Sequence, residues 1–478
     1  MYKSIALLSE IDNKKKDHVL SDCDSYTVQK DGVVEISRNS TNTCLFNSNN
    51  NKAIHLSNLL YNNIFKKDII SLDDIGNIVG NENASVFLSQ MIRDNILYNS
   101  GVVCGEELKK EKYIPTLLIS PSSKCNLQCI YCYSNANDAK GYIDEEYYKV
   151  AINDTIGNII ASDGYTYKKF LGNTQQCRLA IIGGGEPTVN ENLFIDIVKY
   201  FSDQCRAQYI EPVVAVTTNG TLSSKVCDIL CEYKSEVMVS IDGSKDVHNM
   251  QRPFIGGKNS YDIAISNIAK LLAGGCYVVM RSTVTRHSLK YISNILDVAL
   301  ANKIQNIQIE PLNETGRAKD NELLAPYPEE FCDELTHLFI RARGLGISLK
   351  SNQLPISLKK RTRFCGACGT NKIVTISGYI SACTEVTEPS DPYSKYFFSG
   401  KIDLEKQKIV INKNQVDRLS YRYIDNMDVC NNCVMRFNCA GGCPARALRA
   451  NGDMYSPDKK WCDATVNMSI DIIKKLLY

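Results

Sequence analysis

The stretch YIPTLLISPSSKCNLQCIYCYSN, Tyr113 to Asn135, decides the fold. It opens with a short apolar run, Tyr113 to Ile119, bounded by Pro and Ser, which reads as a buried strand. The following loop carries Cys125, Cys129 and Cys132 at C-x3-C-x2-C spacing. Three thiolates on one short loop can cap three corners of a cubane iron-sulfur cluster and leave one iron without a protein ligand. Zinc is the competing reading, but zinc loops supply four ligands through paired C-x2-C knuckles, and no fourth cysteine lies nearby.

Beyond this strand, five more apolar runs alternate with helical periodicity. Strands are expected at Arg178 to Ile182, Pro212 to Thr217, Glu236 to Ile241, Cys276 to Val284 and Ile304 to Ile309. Helices are expected at Glu145 to Ile160, Glu191 to Phe201, Leu222 to Glu232, Tyr261 to Ala273, Leu289 to Leu300 and Pro328 to Arg343. Six βα units imply an α/β fold with a parallel sheet, since parallel neighbours need long crossovers of fixed hand. Periodicity leaves open whether that sheet closes. The strands are followed by GGGEPT (Gly183 to Thr188), TTNGT (Thr217 to Thr221) and SIDG (Ser240 to Gly243), with His248 and Arg252 beyond. Each alone reads as a turn. Together they fall at the C-terminal ends of successive strands, the edge where α/β folds place ligands.

The whole chain fits this picture. Its 478 residues predict roughly two to four domains. With 44% apolar and 23% charged residues it is globular. Fifty-five Lys and Arg against 53 Asp and Glu leave +2, which gives no global field toward nucleic acid or anionic lipid. Lacking a secretory signal or an apolar run of membrane-spanning length, the chain is expected to be soluble and cytoplasmic, with neither nucleic acid nor membrane as partner. Twenty Cys against five His then point to soft-ligand metal chemistry rather than disulfides.

Residues 365 to 462 hold eight of those cysteines and few long periodic elements. Cys430, Cys433, Cys439 and Cys443 follow C-x2-C-x5-C-x3-C, with Cys462 beyond. Upstream, Gly378 and Cys383 form G-x4-C after Cys365 and Cys368. Nine other cysteines (Cys23, Cys44, Cys104, Cys177, Cys205, Cys227, Cys231, Cys276 and Cys332) read as small core residues. Cys227 and Cys231, at i and i+4, share a helix face.

The cysteine loop, with Tyr131 before its last cysteine, resembles the signature of the radical S-adenosylmethionine (SAM) superfamily. That resemblance covers roughly 113–345 and implies a partial (β/α)6 barrel. SAM would chelate the open iron of a 4Fe-4S cluster held by Cys125, Cys129 and Cys132, and its reductive cleavage would give a 5'-deoxyadenosyl radical that abstracts hydrogen. Gly184, Gly185 and Glu186 match the family's SAM-amino motif; Tyr131, Thr218, Asn219, Ser240 and Arg252 resemble its other cofactor-contacting positions. The region 360–470 resembles the SPASM extension of peptide-modifying members. This implies two auxiliary 4Fe-4S clusters, one on Cys365, Cys368, Cys383 and Cys443, the other on Cys430, Cys433, Cys439 and Cys462. A pair of zinc knuckles is the plain alternative, as is a first auxiliary site in which Cys365 or Cys368 is no ligand and an iron stays open to a substrate thiolate.

Residues 1–105 read as a small winged-helix-like α+β module: strands Gly32 to Ile36 and Thr43 to Phe46 around an Asn-rich turn, then helices near Ser57 to Phe65, Leu72 to Val79 and Ala84 to Asn95. It resembles a leader-peptide recognition element, with an ordinary capping domain as the equal alternative. The implied activity is modification of a ribosomal precursor peptide, with flavodoxin or ferredoxin as electron donor. Thioether formation ranks first and a carbon-carbon cross-link second, ahead of epimerisation and sulfatase maturation. Sulfatase maturases carry a catalytic Asp after the cysteine that aligns with Cys383; here Thr384 stands there, and Glu385 is expected to point elsewhere. A non-catalytic iron-sulfur or zinc module is the reading from another class, and no catalytic side chain is assigned.

Overall fold

The computed structural model describes residues 114–137, 141–162, 175–354, 361–431 and 433–477 and, toward the N-terminus, 3–6, 26–28, 33–38, 42–47, 52–65, 67, 69–93 and 97–99. The N-terminal strands are β1 (Lys3–Ala6), β2 (Tyr26–Val28), β3 (Val33–Arg38), β4 (Asn42–Asn47), β5 (Lys52–Ser57), β6 (Ile69–Ile70) and β7 (Leu97–Asn99). They form an antiparallel sheet in the order β1-β5-β4-β3 and a smaller one in the order β6-β2-β7. Helices Asn58–Ile64, Leu72–Val79 and Asn81–Arg93 accompany them. Ser71 starts the second helix with a capping box, its hydroxyl accepting from Asp74 N while Asp74 accepts from Ser71 N. Ile54, Leu56, Ile64, Ile75, Leu88 and Met91 close a separate core here. Cys23, Cys104, most of the Asn-rich turn and the expected start at Tyr113 lie outside the described residues.

The central sheet runs through β8 (Thr116–Ile119), β9 (Gln175–Ile181), β10 (Ile210–Thr218), β11 (Glu236–Ser240), β12 (Tyr277–Val284) and β13 (Asn306–Pro311). These are the six expected strands, all parallel and in sequential order. Helix Glu145–Ile160 begins where Asp144 accepts from Glu146 N, with two acidic residues complementing the positive end of its dipole. Helix Glu191–Ala207 buries Phe194, Ile197, Val198, Phe201 and Cys205, one stripe at helical spacing. On β9, Cys177, Leu179 and Ile181 are buried in the main core. Arg178, on the other face of that strand, pairs with Glu236 of β11 across β10.

The structure departs from expectation at the sheet's ends. A seventh parallel strand, β14 (Ser348–Lys350), follows the helix Pro328–Gly344. At the opposite edge the cysteine-rich region adds β15 (Ile373–Val374), parallel to β8, and then β16 (Tyr379–Ser381), β17 (Phe398–Asp403) and β18 (Lys408–Ile411), all antiparallel. Among the described residues eleven strands thus form one open sheet, and the region after residue 360 is more regular than its sequence suggests. Its terminal helix starts at Lys459, earlier than the expected Ala464, and packs on helix Pro328–Gly344, β3 and β5. No described helix is long and apolar enough to cross a membrane.

Candidate functional site

The cysteine loop is fixed by its own backbone. Gln128 N donates to Pro253 O (2.8 Å) and Ile130 N to Gln251 O (3.0 Å), while Arg317 N donates to Cys132 O (2.9 Å). The Arg317 guanidinium reaches Cys129 O (2.9 Å) and Ala136 O (3.0 Å). Asn321 Nδ2 donates to Ile130 O (2.7 Å). The turn before Arg317 needs Gly316: its φ is +54°, and a Cβ there would stand 2.5 Å from Cys132 O. Sequence spacing does not signal this clamp, whose side chains stand 181 to 191 residues from the backbone they hold.

The GGE segment locks onto the same loop. Gly185 N donates to Ser122 O and Glu186 N to Lys124 O, both at 2.8 Å. A Cβ on Gly185 would lie 2.2 Å from Lys124 O, so this glycine serves backbone-to-backbone approach, whereas a Cβ on Gly184 comes no nearer than 3.3 Å to any neighbour, Thr387 Oγ1. Glu186 is 3% exposed. Its Oε1 accepts from Thr188 N (3.2 Å), Thr188 Oγ1 (2.6 Å) and Thr218 Oγ1 (2.8 Å), and its Oε2 from Asn219 N (2.7 Å). Burial pushes its carboxyl up, and these bonds only partly offset that. One Oε2 lone pair remains for a cationic ligand. Asn219 Nδ2 continues to Asn126 Oδ1 at 2.8 Å, tying the third strand's turn to the cysteine loop.

Asp242 is the hub that the sequence did not reveal. Its Oδ2 accepts from Tyr131 Oη, from Gln251 Nε2 (2.9 Å) and from Arg252 Nε (3.0 Å), and its Oδ1 accepts from Thr283 N (3.0 Å). Burial pushes this carboxyl up, but Arg252, His248 and the hydrogen bonds together hold it below the usual range. Arg252 is thereby aimed at the cysteine loop, with Nη1 3.8 Å from Cys129 Sγ and its guanidinium carbon 5.3 Å from the centre of the Tyr131 ring. His248 is a core residue instead: fully buried, it meets Ser260 Oγ through Nε2 (3.0 Å).

These groups surround one cavity of about 360 Å³. Cys125, Cys129, Cys132, Tyr131, Gly184, Gly185, Glu186, Thr218, Asn219, Ser240 and Arg252, every residue expected from the first constellation, line it. Arg281, Glu310, Thr384, Glu385, Cys443 and Arg446 line the same cavity. Glu385 therefore does face the cavity, contrary to expectation. Asn313 Nδ2 donates to its Oε1 (2.7 Å) and Arg449 pairs with its Oε2 (2.9 Å), which together turn it inward.

Burial pushes the Cys125 thiol up to about 12 and Cys129 to about 11. A loop-borne iron cluster would supply the cation that favours the thiolate form, and Cys125, Cys129 and Cys132, three soft donors lining one cavity, fit it. Cys430, Cys433, Cys439 and Cys462 line a second cavity, of about 40 Å³. There burial raises Cys430 to about 11 and Cys439 to about 12. Cys365, Cys368, Cys383 and Cys443 lie within electrostatic reach of one another, with Cys365 exposed and Cys368 and Cys383 buried. Cys443 lines both cavities. Among the described residues no three His, Cys, Asp or Glu side chains already stand together as ligands of a single ion. Of the other cysteines, Cys231 lies 3.9 Å from Cys276 Sγ, while Cys227 meets Asn267.

Comparison with known proteins agrees with this geometry. Residues 119–298 match the Radical SAM superfamily. A cysteine-type anaerobic sulfatase-maturating enzyme of Clostridium novyi is 23% identical over 76% of this chain and 96% of its own length. The radical SAM cyclopropyl synthase TigE of Paramaledivibacter caminithermalis is 22% identical over 75% of this chain and 72% of its own. The solved structure of native anSMEcpe with bound AdoMet and Cp18Cys peptide superposes with TM-score 0.59 at 16% identity, covering 76% of this chain and 99% of that one, which shows a shared fold. The parallel sheet, the three-cysteine loop and the family match thus fall in one segment, and residues 119–298 carry a Radical SAM domain.

Proposed function

We propose that the chain modifies a ribosomally made precursor peptide, forming a thioether or, second, a carbon-carbon cross-link. One observation carries the reading: a single cavity is lined both by the three-cysteine loop with the SAM-type motifs and by residues of the second cysteine region. Cys125, Cys129 and Cys132 would hold the SAM-binding cluster; Glu186 would take the SAM amino group, and Ser240 and Arg252 its carboxylate. When bound, these cofactors supply the electron and the carbon-centred radical that takes a substrate hydrogen. The chain's own part is to exclude water, orient the peptide and place Arg281, Glu310 and Glu385 around the reacting residue. Cys365, Cys368, Cys383 and Cys443, and separately Cys430, Cys433, Cys439 and Cys462, would hold two auxiliary clusters. Residues 1–105 would bind the leader, 113–345 carry the radical chemistry and 360–470 the auxiliary clusters. A flavodoxin or ferredoxin would deliver the electron, in the cytoplasm. The peptide bound to anSMEcpe supports a peptide partner.

A sulfatase-type oxidation is the second reading, favoured by the placement of Glu385 in the cavity wall as a proton acceptor. Co-expression with short peptides encoded beside this gene, followed by mass spectrometry, separates the readings. A loss of two hydrogens with a new cross-link supports the first; a carbonyl-bearing residue with no cross-link supports the second.

A further inference from the structure

Arg422 is the largest fully buried side chain among the described residues, at 1% exposure. Its Nε donates to Met454 O (2.6 Å) and its Nη2 to Gly441 O (2.7 Å). Its Nη1 points at Cys368 Sγ, 3.9 Å away. Gly441, at φ +79°, leaves the room: a Cβ there would strike Met427 Sδ at 2.5 Å and stand 3.6 Å from Arg422 Nη2. Nearby arginines find carboxylates, Arg436 with Asp425 and Arg449 with Glu385. Among the described residues Arg422 forms no ion pair. A buried guanidinium without a counter-ion is a costly arrangement for a fold to keep.

The anions within its reach are sulfur. Cys368, in contact with the guanidinium, belongs to one proposed cluster set, and Cys430, which packs with Met427 beside Gly441, belongs to the other. Gly441 lies on the short link between Cys439 and Cys443, one cysteine from each set. We propose that Arg422 is the fixed countercharge shared by the two auxiliary clusters, a positioning residue that joins their sites and raises their reduction potentials. The inference rests on the auxiliary-cluster reading. Adding an electron to an anionic cluster is favoured by a cation held close in a low-dielectric interior, and hydrogen bonds to cluster sulfurs act in the same direction.

The test uses the full chain with Cys125, Cys129 and Cys132 replaced by Ala, so that only auxiliary iron reports, comparing Arg422, Arg422→Lys and Arg422→Gln after anaerobic reconstitution. Iron content and an EPR-monitored redox titration are read. Arg422→Gln should shift the reduction equilibrium at least tenfold toward the oxidised form, a midpoint about 59 mV lower. Arg422→Lys, which keeps the charge, should stay within about threefold. If Gln sheds iron while Lys retains it, the countercharge is equally supported. The proposal is overturned if Gln leaves iron and midpoint unchanged, if Lys and Gln shift alike, or if both lose iron alike, since the hydrogen-bonding fork and not the charge would then matter. A parent chain that binds no iron beyond the altered site contradicts the auxiliary-cluster reading itself.

Discussion

Replacing Asp242 by Asn tests whether one buried carboxylate organises the cofactor wall. The side chain is 1% exposed and its partner Arg252 10% exposed, so the pair is shielded from solvent. Three donors meet at Oδ2 and one at Oδ1. Whichever way the Asn amide turns, its NH2 group faces a donor, and Arg252 loses its counter-ion. Stranding one member of a buried pair costs about 3–5 kcal/mol, more than the roughly 1.5–3 expected for a single hydrogen bond to a charged group. We expect Asp242→Asn to lower stability by about 3–5 kcal/mol in urea denaturation followed by circular dichroism. SAM affinity should fall at least about tenfold, because Tyr131 and Arg252 are no longer held. Adding Arg252→Met should recover part of the stability, since the stranded cation is removed. A single-variant loss under about 1 kcal/mol, or a double variant costing the full sum, would refute the reasoning.

Further outcomes follow from the same contacts. Gly185→Ala should abolish SAM binding by isothermal titration while Gly184→Ala keeps it, given Cβ approaches of 2.2 Å to backbone and 3.3 Å to a hydroxyl; equal effects would contradict the packing. His248 is pulled by burial from 6.5 to about 4, against the opposing pull of Asp242. The unfolded chain therefore takes up a proton between those values that the folded chain refuses. Stability is full above pH 6.5 and falls by up to about 3 kcal/mol as pH drops to 4. His248→Gln should flatten that part of the stability profile, and an unchanged slope would count against it. Glu385→Gln should leave SAM cleavage intact but suppress the oxidised peptide product if the carboxylate takes a substrate proton; full product yield by mass spectrometry excludes that role.

The parallel βα core was legible because its signals are local. Asp144 followed by two glutamates marks the start of Glu145–Ile160, and Tyr261–Ala273 was read to the residue from its 3.6-residue periodicity. The cysteine triad and strand-end motifs declared their shared edge through their order alone. Short β14 and β15 were missed because strands of two or three residues carry no periodicity. Arg281 and Glu310 line the cavity from strands whose polar positions sequence cannot tell from a solvent face. Asp242, Arg317 and Glu385 act on partners about 70 to 190 residues away, so only the fold reveals their roles.

The most direct test of the central claim is anaerobic assay of the reconstituted chain with SAM and a strong reductant, reading 5'-deoxyadenosine by chromatography. The account predicts its formation by the native chain and none from the chain with Cys125, Cys129 and Cys132 changed to Ala, which should still bind roughly eight irons. Cleavage that survives loss of these three cysteines, or a native chain that binds zinc and cleaves no SAM, would contradict it.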